Sequence, residues 1–172
     1  MDFLNLDYFF APTRSRSLCL QKQIIMNTRI KLNQTEPAGY RALVAMEQYL
    51  SSTRLTPTHK NLIYIRASQI NGCAFCIDMH TREARKAGET EHRIYALNAW
   101  RDTPFFTPEE RAILALTEEM TLISQNHVTD ATYDQAAALF DEQYLSQLLM
   151  CVIVINAWNR LGITTRMGPA AS

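Results

Sequence analysis

Helix-start signals recur along most of the chain, and they constrain the fold more than any other feature of the sequence. At residues 56–57 and 107–110 a capping threonine precedes a proline at the first helical position, and the second segment is also a capping box. Thr90 and Thr129 are placed to cap two further helices, and Gly88 is placed to end one. These signals predict a chain of successive helices joined by short turns.

Strands are not predicted anywhere in the sequence, because no stretch shows sustained alternation of apolar and polar residues. The β-branched run at residues 151–155 would suit a buried strand, but its apolar flanks favour a helix from Tyr144 to Leu161 that ends before Gly162. With only five glycines and six prolines in 172 residues, we predict an all-α fold, a compact helical bundle. A helix this apolar in a short chain also predicts an oligomer, in which part of its surface is shared with another subunit.

Cys73, Cys76 and His80 stand at positions i, i+3 and i+7, which fall on one stripe of an α-helix. Asn71 and Gly72 read as a turn before that helix, which places Cys73 at or near its N-terminus. The unpaired N–H groups and the dipole of a helix start favour a thiolate over a thiol. With a second thiol one turn away and an imidazole within reach, the sequence predicts a redox dithiol.

Two other interpretations of these three residues stay open. They could bind a metal ion as a three-ligand site, although structural zinc takes four ligands and the other cysteines, Cys19 and Cys151, are isolated in the sequence. The two cysteines could also be buried as small apolar side chains, which would leave the histidine on the same stripe unexplained. The redox interpretation accounts for all three residues, so we expect no bound metal. Cys151, in the most apolar run, is expected to be an inert buried thiol.

Charge and hydropathy narrow the expected partners and location. Seventeen basic and seventeen acidic side chains balance, which removes the electrostatic case for nucleic acid or an anionic membrane. The longest apolar run, residues 148–155, is shorter than the roughly 20 residues that span a bilayer. We therefore expect no nucleic-acid or membrane partner and a cytoplasmic location.

The first residues of the chain differ from the rest. They lack the basic start of a signal peptide and are largely irregular and polar. We treat residues 1–30 as an N-terminal extension that is either disordered or the product of a mis-assigned start, since Met26 precedes a more ordinary protein start. The folded domain is expected to cover residues 35–165.

The segment from Ile65 to Ala84, with the two cysteines and the histidine in its second half, resembles the core motif of the alkylhydroperoxidase D-like branch of the carboxymuconolactone decarboxylase family. The resemblance continues through residues 85–90 and 99–101, and more loosely from Phe105 to Leu161. It implies an all-helical fold that assembles into trimers, or into hexamers built from them. It also implies a hydroperoxide-reducing activity that uses the dithiol and no further cofactor. The decarboxylase branch is a poor match, because its chemistry does not use a pair of cysteines.

In the mechanism that the resemblance implies, Cys76 attacks the peroxide and becomes a sulfenic acid, which Cys73 resolves to a disulfide. His80 belongs to the proton relay that generates the Cys76 thiolate. The characterised peroxidases carry a relay glutamate twelve residues before the first motif cysteine, and here that position is Asn61, which takes up no proton at neutral pH.

Two nearby residues are candidates to replace the missing glutamate. His59 stands two residues before Asn61, and Glu83 stands at i+3 from His80, where it could orient the imidazole. For Glu83 the alternative is an ordinary solvated charge on the helix surface. Tyr64 and Trp100 are the aromatic side chains expected near the site.

The sequence thus predicts a thiol-dependent peroxidase or dithiol oxidoreductase that reduces hydroperoxides. A reducing protein or small thiol must regenerate the dithiol, and in characterised relatives a lipoyl-bearing protein does so. The alternative, motivated by the missing relay glutamate, is a redox-sensing or scaffold helical oligomer with little turnover.

Overall fold

The structure, a computed structural model, describes residues 29–168 and is all-α over that range, as predicted. Most of the proposed N-terminal extension, with Cys19 and Met26, lies outside the described residues. A 3-10 helix, Leu97–Asp102, lies between α5 and α6. The α-helices are α1 (Leu32–Thr35), α2 (Pro37–Ser51), α3 (Pro57–Asn71), α4 (Ala74–Lys86), α5 (Glu91–Ala96), α6 (Pro108–Thr121), α7 (Ile123–Asn126), α8 (Asp130–Leu139) and α9 (Glu142–Thr165).

The capping signals in the sequence determine where four of these helices begin. The side chains of Thr56, Thr90, Thr107 and Thr129 each accept a hydrogen bond from a backbone N–H in the first turn of α3, α5, α6 and α8. Thr107 forms the predicted capping box, since Glu110 also accepts from the backbone N–H of Thr107. The predicted helix starts are therefore confirmed, because each depends on a local hydrogen bond that the sequence displays.

Helix α9 runs through the centre of the bundle and packs against α2, α3, α4, α6 and α8. The larger apolar cluster lies around α3, α6 and α9, and the smaller lies around α3, α6 and the 3-10 helix. By length and composition alone α9 could span a membrane, but half of its most apolar window is buried against these neighbours. Residues 151–155 lie inside this helix, as predicted, and not in a strand.

The predicted end of α9 is wrong. The helix continues past Gly162 to Thr165 and ends at Arg166, whose left-handed φ of 58° forms the C-cap. Gly162 is a packing residue here, because a Cβ atom at this position would lie 3.4 Å from Cys73 Sγ and 3.9 Å from Cys76 Sγ. Gly162 therefore marks the place where α9 lies against the two cysteines.

Candidate active site

The two motif cysteines lie at the start of α4, where the chain turns sharply out of α3. Gly72 ends α3 in the left-handed conformation with φ 70°, and the extended residue Cys73 is the N-cap of α4. Cys76 follows in the first turn, and the two cysteines are paired as a disulfide with their Cα atoms 5.4 Å apart. Both side chains are buried, with exposed fractions of 2% and 3%. The structure therefore places a buried disulfide at a helix N-terminus.

His80 lies one turn after Cys76 on the same helix and is buried, with 5% of its surface exposed. Its Nδ1 atom lies 2.9 Å from Oε2 of Glu83. An imidazole that donates its Nδ1–H to a carboxylate keeps a free lone pair on Nε2. No side chain among residues 29–168 hydrogen-bonds that second nitrogen. Burial lowers the pKa of His80, and Glu83 opposes that effect by its hydrogen bond and its charge. The neutral imidazole, which can take up a proton, is therefore the form present at neutral pH.

A cavity of about 280 Å³ opens onto Cys76 and His80. Its polar lining comes from Glu47, Cys76, His80 and Glu83, and its apolar lining from Tyr40, Phe75, Met79, Trp158 and Met167. Cys73 does not line this cavity, so the two sulfurs are presented to different surroundings. The cavity offers a small apolar molecule access to Cys76 beside a base.

Glu47 is a residue of this site that the sequence analysis missed. It lies on α2, lines the cavity, and accepts hydrogen bonds from Lys60 Nζ and Tyr64 Oη, both at 2.7 Å. The ring of Tyr64 packs edge-on against His80, with 4.6 Å between the ring centroids. Burial is the largest of the causes that raise the pKa of Tyr64, so its hydroxyl stays protonated and donates to Glu47. A carboxylate with two hydrogen-bond partners thus lines the same cavity as Glu83.

One signal in the sequence could have pointed to Glu47. It stands on the same stripe of α2 as Tyr40, Leu43 and Leu50, at the spacing of a core-facing helix surface. A carboxylate on such a stripe requires a buried partner or a functional role.

The other sequence candidates lie elsewhere. His59 lies at the start of α3, where its Nδ1 is 2.7 Å from Tyr144 Oη, and it does not line the cavity. Asn61 is half-buried on α3 and is also outside the cavity lining. Of the two expected aromatic residues, Tyr64 contacts His80, whereas Trp100 lies in the smaller apolar cluster. The structure therefore brings Glu83 to His80 but does not bring His59 or Asn61 to the cysteines.

Cys151 is fully buried in the larger apolar cluster, away from the disulfide. Burial raises the pKa of its thiol, which disfavours the reactive thiolate. Its surroundings are those of a packing residue.

Behind the cysteines, a network of amide side chains holds the turn between α3 and α4 against α9. Asn71 Nδ2 donates to Asn156 Oδ1 at 3.0 Å and to Asn159 Oδ1 at 2.9 Å, and Asn159 Nδ2 donates to Ser68 Oγ at 3.0 Å. Asn159 is fully buried. These bonds fix the cysteine turn to the central helix.

Metal binding was one of the interpretations left open by the sequence. Within residues 29–168, no three His, Cys, Asp or Glu side chains are grouped as metal ligands would be. The arrangement of the dithiol, the buried imidazole and the two carboxylates suits thiol oxidation and reduction.

A model of the carboxymuconolactone decarboxylase family matches residues 37–119. The chain is 44% identical over 138 residues to the uncharacterized protein YdfG of Bacillus subtilis (strain 168), an alignment that covers 80% of this chain and 94% of that one.

Two solved structures share the fold. One is an Agrobacterium tumefaciens protein of unknown function, considered a candidate antioxidant defence protein, AhpD. It is 34% identical, with a TM-score of 0.82 over 84% of this chain and 99% of that chain. The debrominase Bmp8 is 19% identical, with a TM-score of 0.71 over 80% of this chain and 74% of its own, and it shows likeness of fold alone.

Proposed function

Because the chain belongs to the alkylhydroperoxidase D-like branch of the carboxymuconolactone decarboxylase family, we propose that it is a peroxidase that reduces hydroperoxides through Cys76 and Cys73. The observation that carries the proposal is the cavity that opens onto Cys76 beside His80, whose Nδ1 lies 2.9 Å from Glu83. The candidate antioxidant role of the Agrobacterium tumefaciens protein supports the same reaction class.

In the first step, Nε2 of His80 takes the proton of the Cys76 thiol. The thiolate sulfur then attacks the terminal peroxide oxygen, the one that carries the hydrogen, and the O–O bond breaks, which leaves a sulfenic acid on Cys76. The imidazolium returns its proton to the leaving alkoxide, which departs as an alcohol. The two electrons that reduce the peroxide come from the sulfur of Cys76.

In the second step, the thiolate of Cys73 attacks the sulfenic sulfur of Cys76. The S–O bond breaks, water leaves after protonation, and the disulfide forms. Two thiols and one hydroperoxide thus give a disulfide, an alcohol and water. A reducing protein or thiol must then restore the two thiols. We include this reductant, a cytoplasmic location and a homo-oligomeric assembly in the same proposal.

The two carboxylates at the cavity have different roles in this mechanism. Glu83 holds the His80 ring and stabilises its positive charge while it carries the proton. Glu47, paired with Lys60 and Tyr64, adds a second negative charge at the cavity, which raises the pKa of His80, and takes the place of the relay glutamate that Asn61 does not supply. Glu83 and Glu47 are thus positioning residues, because both act through the imidazole.

The cavity also indicates the substrate class. Its volume of about 280 Å³ is at the small end of the range for ligand sites, and its apolar lining suits a hydrocarbon body. Its charged lining residues are both carboxylates, which disfavour an anionic substrate. We therefore propose small, uncharged organic hydroperoxides as substrates.

A trapping experiment tests the assignment of the attacking cysteine. In the Cys73→Ser variant the sulfenic acid on Cys76 has no resolving partner, so treatment with cumene hydroperoxide and dimedone should add one dimedone at Cys76, located by peptide mass spectrometry. The Cys76→Ser variant should add none at Cys73. Labelling of Cys73 in place of Cys76 would reverse the assignment, and labelling of neither would contradict the peroxidase.

A further inference from the structure

The cavity at Cys76 combines aromatic walls with negative charge, and the mechanism proposed above makes no use of the aromatic rings. Three rings and two carboxylates line it, from Tyr40, Phe75, Trp158, Glu47 and Glu83. Within residues 29–168, no lysine or arginine is part of this lining. An aromatic ring attracts a cation to its face, and a carboxylate attracts one by its charge. The lining therefore favours a positively charged occupant.

The two carboxylates differ in what balances their charge. Glu47 Oε1 lies 2.7 Å from the ammonium group of Lys60, so this charge is largely compensated. In the part of the chain that the structure describes, the side chain of Glu83 pairs only with His80, whose ring is neutral at neutral pH. The Glu83 side chain is 54% exposed. The cavity wall thus carries one negative charge that no cationic side chain among these residues balances.

The rings at the cavity also differ from other aromatic rings in this protein. Elsewhere, four rings each have an arginine or lysine within 6 Å of the ring centroid, those of Tyr64, Trp100, Phe106 and Tyr144. Among residues 29–168, no arginine or lysine is placed in this way over Tyr40, Phe75 or Trp158. Trp158 and Tyr40 instead pack edge-on against each other, with 5.6 Å between the ring centroids. Tryptophan attracts cations more strongly than the other aromatic side chains.

We propose that this cavity binds a small quaternary ammonium ion, whose charged group lies against the aromatic rings and close to Glu83. The bound ion covers Cys76 and keeps hydroperoxides from it, so it acts as a competitive regulator of the oxidation step. The regulatory part of this inference rests on the proposed function, whereas the binding itself does not.

The donor groups at the cavity favour a quaternary ammonium ion over a metal ion or a primary amine. Both of the latter need oxygen ligands or hydrogen-bond acceptors. The two carboxylate oxygens of Glu47 already accept hydrogen bonds from Lys60 and Tyr64, and Oε2 of Glu83 is engaged by His80. A quaternary ammonium ion presents its charge through methyl groups and needs no acceptor, so it suits a wall of aromatic rings and thioethers.

The binding test uses the disulfide form of the full chain and two probes of the same shape. Choline and 3,3-dimethylbutan-1-ol differ in a positively charged nitrogen against a neutral carbon, and titration calorimetry measures the affinity of each. We expect choline to bind about threefold or more tightly than the alcohol at low ionic strength. Added salt should reduce this preference, because part of it comes from the partly exposed charge of Glu83.

Three variants locate the bound ion. Trp158→Leu and Phe75→Leu each remove a ring but keep an apolar side chain, so each should weaken choline binding about threefold to tenfold and alcohol binding by less. Glu83→Gln should weaken choline binding alone, by about two- to threefold. Asp78→Asn, which removes a carboxylate of α4 outside the cavity lining, should change neither affinity. Circular dichroism establishes that each variant folds, and Phe75→Leu alone decides the ring contribution if Trp158→Leu does not fold.

The regulatory test measures single-turnover oxidation of the reduced chain by cumene hydroperoxide in the presence of choline. Oxidation should slow, with half of the effect at the choline concentration that half-saturates the protein. Equal or weaker binding of choline than of the alcohol would overturn the inference, as would choline binding that leaves oxidation unchanged. A chain that binds choline as expected but does not reduce peroxides would contradict the proposed function and leave the cation site standing.

Discussion

Nδ1 of His80 lies 2.9 Å from Oε2 of Glu83, one turn further along the same helix. His80 also lines the cavity with Cys76, so one short stretch of helix carries a thiol, a base and the carboxylate that holds the base. The relay position of the characterised peroxidases, occupied here by Asn61, is outside this arrangement. The base of the proposed peroxidase is therefore built from α4 itself, and Glu47 of α2 lines the same cavity.

The pH dependence of the oxidation step follows from the state of His80. Burial lowers its pKa below the ordinary value of 6.5, Glu83 and Glu47 oppose that shift, and Lys60 adds to it. Since the neutral ring is the base, the rate should decline on the acid side with a midpoint below pH 6.5. Single-turnover oxidation by cumene hydroperoxide between pH 4.5 and 8 measures this, and a midpoint above pH 6.5 would contradict it.

The Glu83→Gln variant should move the decline of the oxidation rate at low pH to still lower pH. Glu83 raises the pKa of His80, so removal of its charge lowers the pKa further. The rate at neutral pH should fall by about fivefold at most, because Glu83 is half exposed. Asp78→Asn, which removes a surface pair with Arg82 on the same helix, is the matched control and should change neither. If the oxidation rate of Glu83→Gln declines at the same pH as that of the wild type, Glu83 does not act through His80.

The Glu47→Gln variant should lower the oxidation rate about tenfold, because the negative charge that favours the imidazolium is lost from the cavity. Its effect on stability should be about 1 kcal/mol or less, since the pair with Lys60 is partly exposed. Asn61→Glu provides the comparison: a carboxylate restored there lies outside the cavity and should change the rate by no more than about twofold. A large gain in Asn61→Glu with no loss in Glu47→Gln would assign the relay to the family position after all.

The Asn71→Ala variant should destabilise the fold by about 1–3 kcal/mol, because it leaves the buried Asn159 Oδ1 without its donor. Urea unfolding of the disulfide form measures this. Asn98→Ala, at an exposed position, should cost less than about 0.5 kcal/mol. Equal costs for the two variants would show that the network does not hold the turn.

The Gly162→Ala variant should fold at least as well as the wild type, because alanine favours a helix by about 1 kcal/mol over glycine and the new methyl group would meet Cys73 Sγ at 3.4 Å, an ordinary contact. Thermal unfolding measures this effect. A variant that unfolds at markedly lower temperature would show that no space exists at this position.

The helices and the position of the dithiol were predictable from the sequence because their signals are local. Thr56 and Thr107 cap helices through hydrogen bonds to residues three positions away, and Cys73 follows a glycine turn. The all-α fold is confirmed on this basis, and the family resemblance is confirmed by the comparisons. The roles of the three motif residues stay predictions.

The features that escaped prediction depend on contacts between distant segments. Glu47 reaches the site only because α2 packs beside α3 and α9, and its sole sequence signal is a carboxylate on an apolar stripe. Gly162 was predicted to follow the end of a helix, whereas it lies inside α9, where a Cβ atom would be in van der Waals contact with Cys73 Sγ. Neither packing arrangement is encoded within a few residues of the position concerned.

The most direct test of the central claim is a stopped-flow measurement of cumene hydroperoxide reduction by the pre-reduced chain, with thiols counted before and after, in a Cys19→Ser background. We expect the Cys19→Ser protein, with both motif cysteines intact, to lose two thiols at a rate proportional to peroxide concentration. Cys73→Ser should lose one thiol at a similar initial rate, and Cys76→Ser should lose none on that timescale. If this protein and Cys76→Ser lose thiols equally slowly, at the rate of the unfolded chain, Cys76 is not an activated nucleophile and the chain is not a peroxidase.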